Sequence, residues 1–116
     1  MIPVIHDLKM VRGDTLSFDL TLDEIPDNEI TSVFFTVKKV KNDENPVFQK
    51  LLGDGIELVE EQSYRIRIAP EDSYDIEAGK YYYDLQLGIG NDIYTPLMGR
   101  IEFIQDVTVM HYASTD

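Results

Sequence analysis

Few residues in this 116-residue chain have the types and spacing that chemistry needs. The two histidines, His6 and His111, stand at opposite ends of the sequence. With no cysteine present, a zinc site would have to unite both with carboxylates in one place. Neither histidine heads an H-E-x-x-H pattern. Both read as surface or strand-end residues. The serines are Ser17, Ser32, Ser63, Ser73 and Ser114, and none sits in a G-x-S-x-G elbow. A triad is recognised by geometry rather than by chain order, so sequence alone does not dispose of one. Nothing here builds one either.

Carboxylates are abundant, so pairs of them carry little information. Asp72 with Asp75, or Asp43 with Glu44, could supply hard oxygen ligands to calcium. The spacing of an EF-hand loop is absent, however, and Asp, Asn and Gly are also what turns require. Turn chemistry is the better reading. Arg12-Gly13-Asp14 spells the tripeptide that integrins bind. Between two strands, Gly-Asp is more simply a turn in which glycine takes an unusual φ. Tyr81, Tyr82 and Tyr83 could suggest a sugar-stacking platform. At period two, Tyr81 and Tyr83 share a face with Leu85 and Leu87, which makes them core. Tyr82 points the other way with Asp84 and Gln86, as a cross-strand packing residue. The expectation is therefore no catalytic residue, no cofactor and no metal.

Elements must position whatever these residues do, and every clear element is a strand. Gly79 to Thr108 reads as two or three long strands. Tyr81, Tyr83, Leu85, Leu87 and Ile89 alternate on one face. Gly90-Asn91-Asp92 is a hairpin turn. Ile93, Thr95 and Leu97 follow, then a second break at Gly99, then Ile101 and Phe103. Leu16, Phe18, Leu20 and Leu22 alternate with Ser17, Asp19, Thr21 and Asp23 as a half-buried strand. Ile25-Pro26-Asp27-Asn28 breaks it. Ile30 to Val40 comes next, with Val33, Phe35 and Val37 on one face. Val47 to Leu52 pairs back after the polar loop Asn42 to Pro46, and Gly53-Asp54-Gly55 ends it. Ile56 and Leu58 continue in a weak strand, Glu60-Glu61-Gln62 turns, and Tyr64, Ile66 and Ile68 form another alternating strand. Met1 to Lys9 is a first strand. Pro70 to Ile76 is the one helical turn, with proline first and acids beside it. The segment Met110 to Asp116 is expected to fray.

The expected fold is therefore all-β: a single antiparallel sandwich of about eight strands, one domain over residues 1–116 with its core at 3–109. A chain of this size buries roughly 65% of its unfolded surface, enough for a core without staples. The absence of cysteine excludes disulfides and fits assembly in a reducing cytoplasm. No apolar run approaches the ~18 residues that a membrane-spanning helix needs. MIPVIHDLKM has Asp7 in its apolar run and no basic leader, which speaks against a secretory signal. The net charge of −12, from 22 acidic and 10 basic residues, argues against a nucleic-acid partner. Pro3 and the Lys38-Lys39-Val40-Lys41 segment are expected to protect sheet edges.

The order of several short segments resembles the N-terminal immunoglobulin-like domain of the phage baseplate upper protein family. These are Arg12-Gly13-Asp14-Thr15 with Leu16 to Leu20, Thr31 to Lys38, Tyr64 to Ile68 before Glu71-Asp72, Ala78 to Asp84, Gly90 to Thr95, and Gly99 to Phe103 with Asp106-Val107-Thr108. The match runs over residues 4–109. The resemblance implies a virion protein of a bacteriophage or prophage, in the tail or baseplate, without catalytic residues. Its implied partners are other virion proteins and further copies of itself. Assembly in the bacterial cytoplasm follows, with no nucleic-acid or membrane partner. A sandwich that binds a carbohydrate or a cell-surface partner is the alternative.

Overall fold

The structure, a computed structural model, describes residues 2–22 and 29–108. The expected turn at Ile25 to Asn28, His111, Ser114 and the terminal segment Met110 to Asp116 lie outside the described residues. The fold is all-β. Among the described residues, nine strands are joined in one hydrogen-bonded sheet that curls into a half-barrel. They are β1 (Val4–Ile5), β2 (Leu8–Val11), β3 (Leu16–Thr21), β4 (Ile30–Lys38), β5 (Phe48–Leu52), β6 (Gly55–Glu60), β7 (Ser63–Ile68), β8 (Gly79–Ile89) and β9 (Asp92–Ile104). The order across the sheet is β1-β9-β8-β4-β5-β6-β7-β3, and β2 also pairs with β9. A single helical turn, α1 (Pro70–Ser73), is shorter than the Pro70 to Ile76 expectation.

Alternation along the strands explains the core. Val33, Phe35 and Val37 of β4, Tyr81, Tyr83, Leu85 and Leu87 of β8, and Tyr64, Ile66 and Ile68 of β7 all point inward and are buried. Ile56, Leu97, Ile101 and Phe103 complete that interior. The curl brings together strands that are distant in sheet order. The ring of Phe18 on β3 meets that of Phe35 on β4 at 5.8 Å, edge to face. At the β8–β9 turn the loop is Gly90-Asn91, with Gly90 at φ 62°. A positive φ at the first loop position matches the right-handed twist of the flanking strands.

Four expectations need correction. First, the sheet is mixed, because β1 and β2 run parallel to β9 and β5 is parallel to β6 over a short stretch. Second, β9 is unbroken at Gly99 and runs from Asp92 to Ile104. Its irregularity lies earlier, where Leu85 faces Leu97 but Leu87 faces Tyr94, so β9 carries one extra residue in the stretch that holds Pro96. Proline has no N–H for the ladder, and a bulge is where a strand accommodates it. The extra residue shifts the period, which is why Ile93 stays exposed while Leu97 is buried.

Third, the N-terminal strand is two strands, split at His6-Asp7. At the split, the N–H of Arg100 donates to the Asp7 carboxylate at 3.0 Å. The His6 N–H still reaches the Met98 carbonyl at 3.0 Å. Gly99 makes this possible. A Cβ there would lie 2.2 Å from the His6 carbonyl oxygen. Gly99→Ala should therefore push the N-terminal segment away from β9, at a cost of about 1–3 kcal/mol by overpacking. Hydrogen exchange at His6 and Leu8 should accelerate more than at the β4 amides, and equal protection in both proteins would refute the close-approach explanation.

Fourth, Lys38 closes β4, which lies in the middle of the sheet between β8 and β5. The Lys38 to Lys41 segment therefore guards no edge. Pro3 does precede the edge strand β1.

Candidate functional site

The outward face of β5-β4-β8-β9 is the floor of a groove of about 870 Å³. Two rows of side chains cross that floor in register. Lys38 on β4 stands opposite Tyr82 on β8, which stands opposite Arg100 on β9. The next row is Gln49, Thr36, Asp84 and Met98. One wall is the N-terminal segment at Ile5 and Asp7, and the other is the β4–β5 loop at Lys41, Glu44 and Pro46.

Period two forces this arrangement. Because Tyr81, Tyr83 and Leu85 turn inward, Tyr82, Asp84 and Gln86 must turn outward. Tyr82 is a packing residue, as expected, but with cations as its neighbours. The Lys41 ammonium lies 5.1 Å and the Arg100 guanidinium carbon 5.4 Å from its ring centre. Such contacts hold a cation over the negative face of the ring. The Gln49 amide donates to the Thr36 hydroxyl at 2.9 Å. Burial raises the Asp84 carboxyl above its ordinary value, and the charge of Lys38 offsets part of that.

The groove's charge stands out against the rest of the chain. Among the described residues, five of the ten lysines and arginines form ion pairs: Lys9, Arg12, Lys39, Lys50 and Arg65. Lys38, Lys41 and Arg100 form none among the described residues, and all three line the groove.

Arg12-Gly13-Asp14 is a turn with Gly13 at φ 84°. The Arg12 guanidinium is turned in, bonded to Asp106 at 2.9 Å and to the Ile76 carbonyl at 2.8 Å, so the tripeptide is not displayed. Asp72 accepts from Lys50 at 2.6 Å and from the Ala69 N–H at 2.7 Å. Asp43 accepts from the Val40 N–H at 3.3 Å, which is turn chemistry. Among the described residues, no group of three or more His, Asp or Glu side chains could hold a metal ion. Ser73 is fully buried, and its hydroxyl accepts the Gly13 N–H at 2.9 Å. His6 is exposed, and its carbonyl accepts the Tyr83 hydroxyl.

No protein-family model matches the chain, and no curated protein does. Among solved structures, its fold is similar to part of the endo-beta-1,4-mannanase from Thermotoga petrophila. The identity is 10%, the TM-score 0.57, and the likeness covers 86% of this chain. It spans only 18% of that enzyme. At such identity the likeness speaks for the fold alone.

Tyr83, an inward residue whose hydroxyl donates to the His6 carbonyl, offers a solution check on the sheet. Burial, and to a smaller degree the Asp7 charge, pushes its phenol up to about 12. A phenol held above its ordinary value contributes stability that is intact below pH 10 and is lost as pH rises from 10 towards 12. An ultraviolet titration should show a last phenol ionising near pH 12. Tyr83→Phe should remove that step, and its survival in the variant would assign it elsewhere.

Proposed function

We propose that this chain is a non-enzymatic structural and interaction domain of a bacteriophage or prophage virion, in the tail or baseplate. The observation that carries the proposal is the order of the segments shared with the phage baseplate upper protein family. They run from Arg12 to Thr108 and fall on β3, β4, β7, α1, β8 and β9 and on the turns beside them. We read the curled sheet more finely as an immunoglobulin-like sandwich. The run β9-β8-β4-β5 follows the G-F-C-C′ order of such domains, and β6-β7-β3 follows D-E-B. The two halves join through the short β5–β6 contact at Leu51-Leu52 and Gly55-Ile56. The proposed partners are other virion proteins and further copies of the chain around a symmetry axis. Neither nucleic acid nor membrane is among them, and assembly takes place in the bacterial cytoplasm.

The reading frames on either side of the gene test this proposal. Tail, baseplate or lysis proteins are the expected neighbours. Neighbours of unrelated metabolism, together with a strictly monomeric mass by light scattering, would end it.

A second reading is a binding module for a carbohydrate or a cell-surface partner. The floored and walled groove over Tyr82 favours it, since ligand sites are concave and carry a few convergent polar groups.

A further inference from the structure

We infer that the groove over β4, β8 and β9 binds an acidic saccharide: an oligosaccharide whose sugar rings bear carboxylates. The inference rests on the second reading above and names its ligand. The groove has two chemically different ends. In one row, Lys38, Tyr82 and Arg100 stand side by side, with Lys41 reaching over the same ring from the loop. That end offers three cationic groups with no carboxylate paired to any of them among the described residues. Five lysines and arginines form no ion pair among the described residues, and three of the five gather at this end, the others being Arg67 and Lys80. The groove's own carboxylates, Asp7, Glu44 and Asp84, lie on its walls and in the adjoining row and form no ion pair with these cations among the described residues, so an incoming carboxylate can contact the cations directly.

The adjoining row differs. Gln49, Thr36 and Asp84 present an amide, a hydroxyl and a carboxyl. Such groups exchange hydrogen bonds with hydroxyls, and the amide–hydroxyl contact already formed fixes their orientation. Asp84 is held in a dry enough position that its hydrogen bonds to a ligand are worth more than in open water. A ligand that answers both rows carries a carboxylate at one end and several hydroxyls beside it. That is the chemistry of a uronic acid unit in a chain.

Tyr82 has a different part from that of an exposed stacking platform. Lys41 and Arg100 already lie over its ring, so the ring serves to hold the cations in place. A fixed guanidinium takes a carboxylate in two parallel hydrogen bonds and loses less freedom in doing so. The walls matter as well. Ile5 on one side and Pro46 on the other give apolar edges for the C–H faces of a sugar ring.

The test is calorimetric titration of the full chain with galacturonic acid oligosaccharides, neutral mannose oligosaccharides and polyglutamate in parallel. The expected result is binding of the galacturonic acid series alone. Arg100→Ala and Lys38→Ala should each weaken it about tenfold or more, the loss expected for a hydrogen bond to a charged group. Lys80→Ala removes an unpaired cation outside the groove and should leave affinity unchanged. Asp84→Asn should weaken binding without altering the fold. Arg100→Lys keeps the charge without the fork and should recover only part of the affinity. Thermal melting of each variant confirms that it is folded. Binding of the neutral oligosaccharides alone would overturn the acidic-ligand inference while leaving a carbohydrate module standing. No binding to any saccharide would remove both. Equal binding of polyglutamate, or a loss in Lys80→Ala as large as in Arg100→Ala, would show a general charge effect and overturn it too.

Discussion

Replacing Phe35 with alanine should destabilise the fold by about 3–5 kcal/mol, the range for deleting a buried aromatic side chain. Phe35 is fully buried in the middle of β4. Its ring meets Phe18 at 5.8 Å, Phe48 at 6.4 Å and Tyr83 at 5.4 Å. Those neighbours belong to β3, β5 and β8, so one side chain joins both arms of the curled sheet. Truncation removes the apolar surface and leaves a cavity whose walls are strands already fixed by their own ladders. Such walls relax little, which places the cost in the upper part of that range. Phe34, its neighbour, faces outward and is only half-buried, so Phe34→Ala should cost much less. Urea unfolding of both variants measures the difference. If Phe35→Ala does not fold, Phe35→Leu keeps the comparison alive, because it deletes less of the buried side chain and leaves a smaller cavity. A Phe34→Ala cost equal to that of the position-35 variants would contradict the assignment of faces.

That assignment was legible in the sequence wherever the ladder is regular. Tyr81, Tyr83, Leu85 and Leu87 alternate without interruption, and the structure buries all four. Val33, Phe35 and Val37 behave in the same way. Legibility fails where a long-range contact changes the period. Along β9, Ile93, Thr95 and Leu97 look like one face, but the extra residue near Pro96 breaks their common phase. The proline was visible; its effect depends on which partner faces it. Gly99 looked like a break because glycine often is one. Here it is a position where another backbone comes too close for a Cβ. Nothing local to Gly99 distinguishes the two cases, since the approaching carbonyl belongs to His6.

The groove was illegible for a related reason. Lys38, Tyr82 and Arg100 lie far apart in sequence, and only the β4–β8 and β8–β9 registers place them in one row. The signal that could have been read was the outward set Tyr82, Asp84 and Gln86. Its partners across the sheet require pairings that a single strand does not encode. Charge counting alone points away from the groove, because a net charge of −12 averages over the cations that gather there. The same acidity gives those unpaired cations their meaning.

Removing Arg12 should have the second large effect, because it empties a junction rather than a surface contact. The Arg12 side chain is 16% exposed and its partner Asp106 17%. One guanidinium bonds both the Asp106 carboxylate and the Ile76 carbonyl. The next residue, Gly13, gives its N–H to the buried Ser73 hydroxyl on α1. The end of β2, the turn of α1 and the chain beyond β9 are thereby tied at one point. An exposed ion pair is worth little, since water and salt screen it. A mostly buried one behaves differently once half of it is removed, because the remaining charge is left desolvated without a partner. Arg12→Ala should cost about 2–4 kcal/mol, near the lower end of the range for breaking a buried pair. Arg12→Lys keeps a charge that reaches one acceptor and should recover about half of the loss. Asp106→Ala alone should cost less, because the Arg12 guanidinium retains the Ile76 carbonyl. The double variant should then be more stable than the sum of the single losses predicts, with a coupling of about 1–3 kcal/mol by denaturant unfolding. Strict additivity would mean that the pair is solvated in solution and that the junction rests on Ser73 and Gly13 instead.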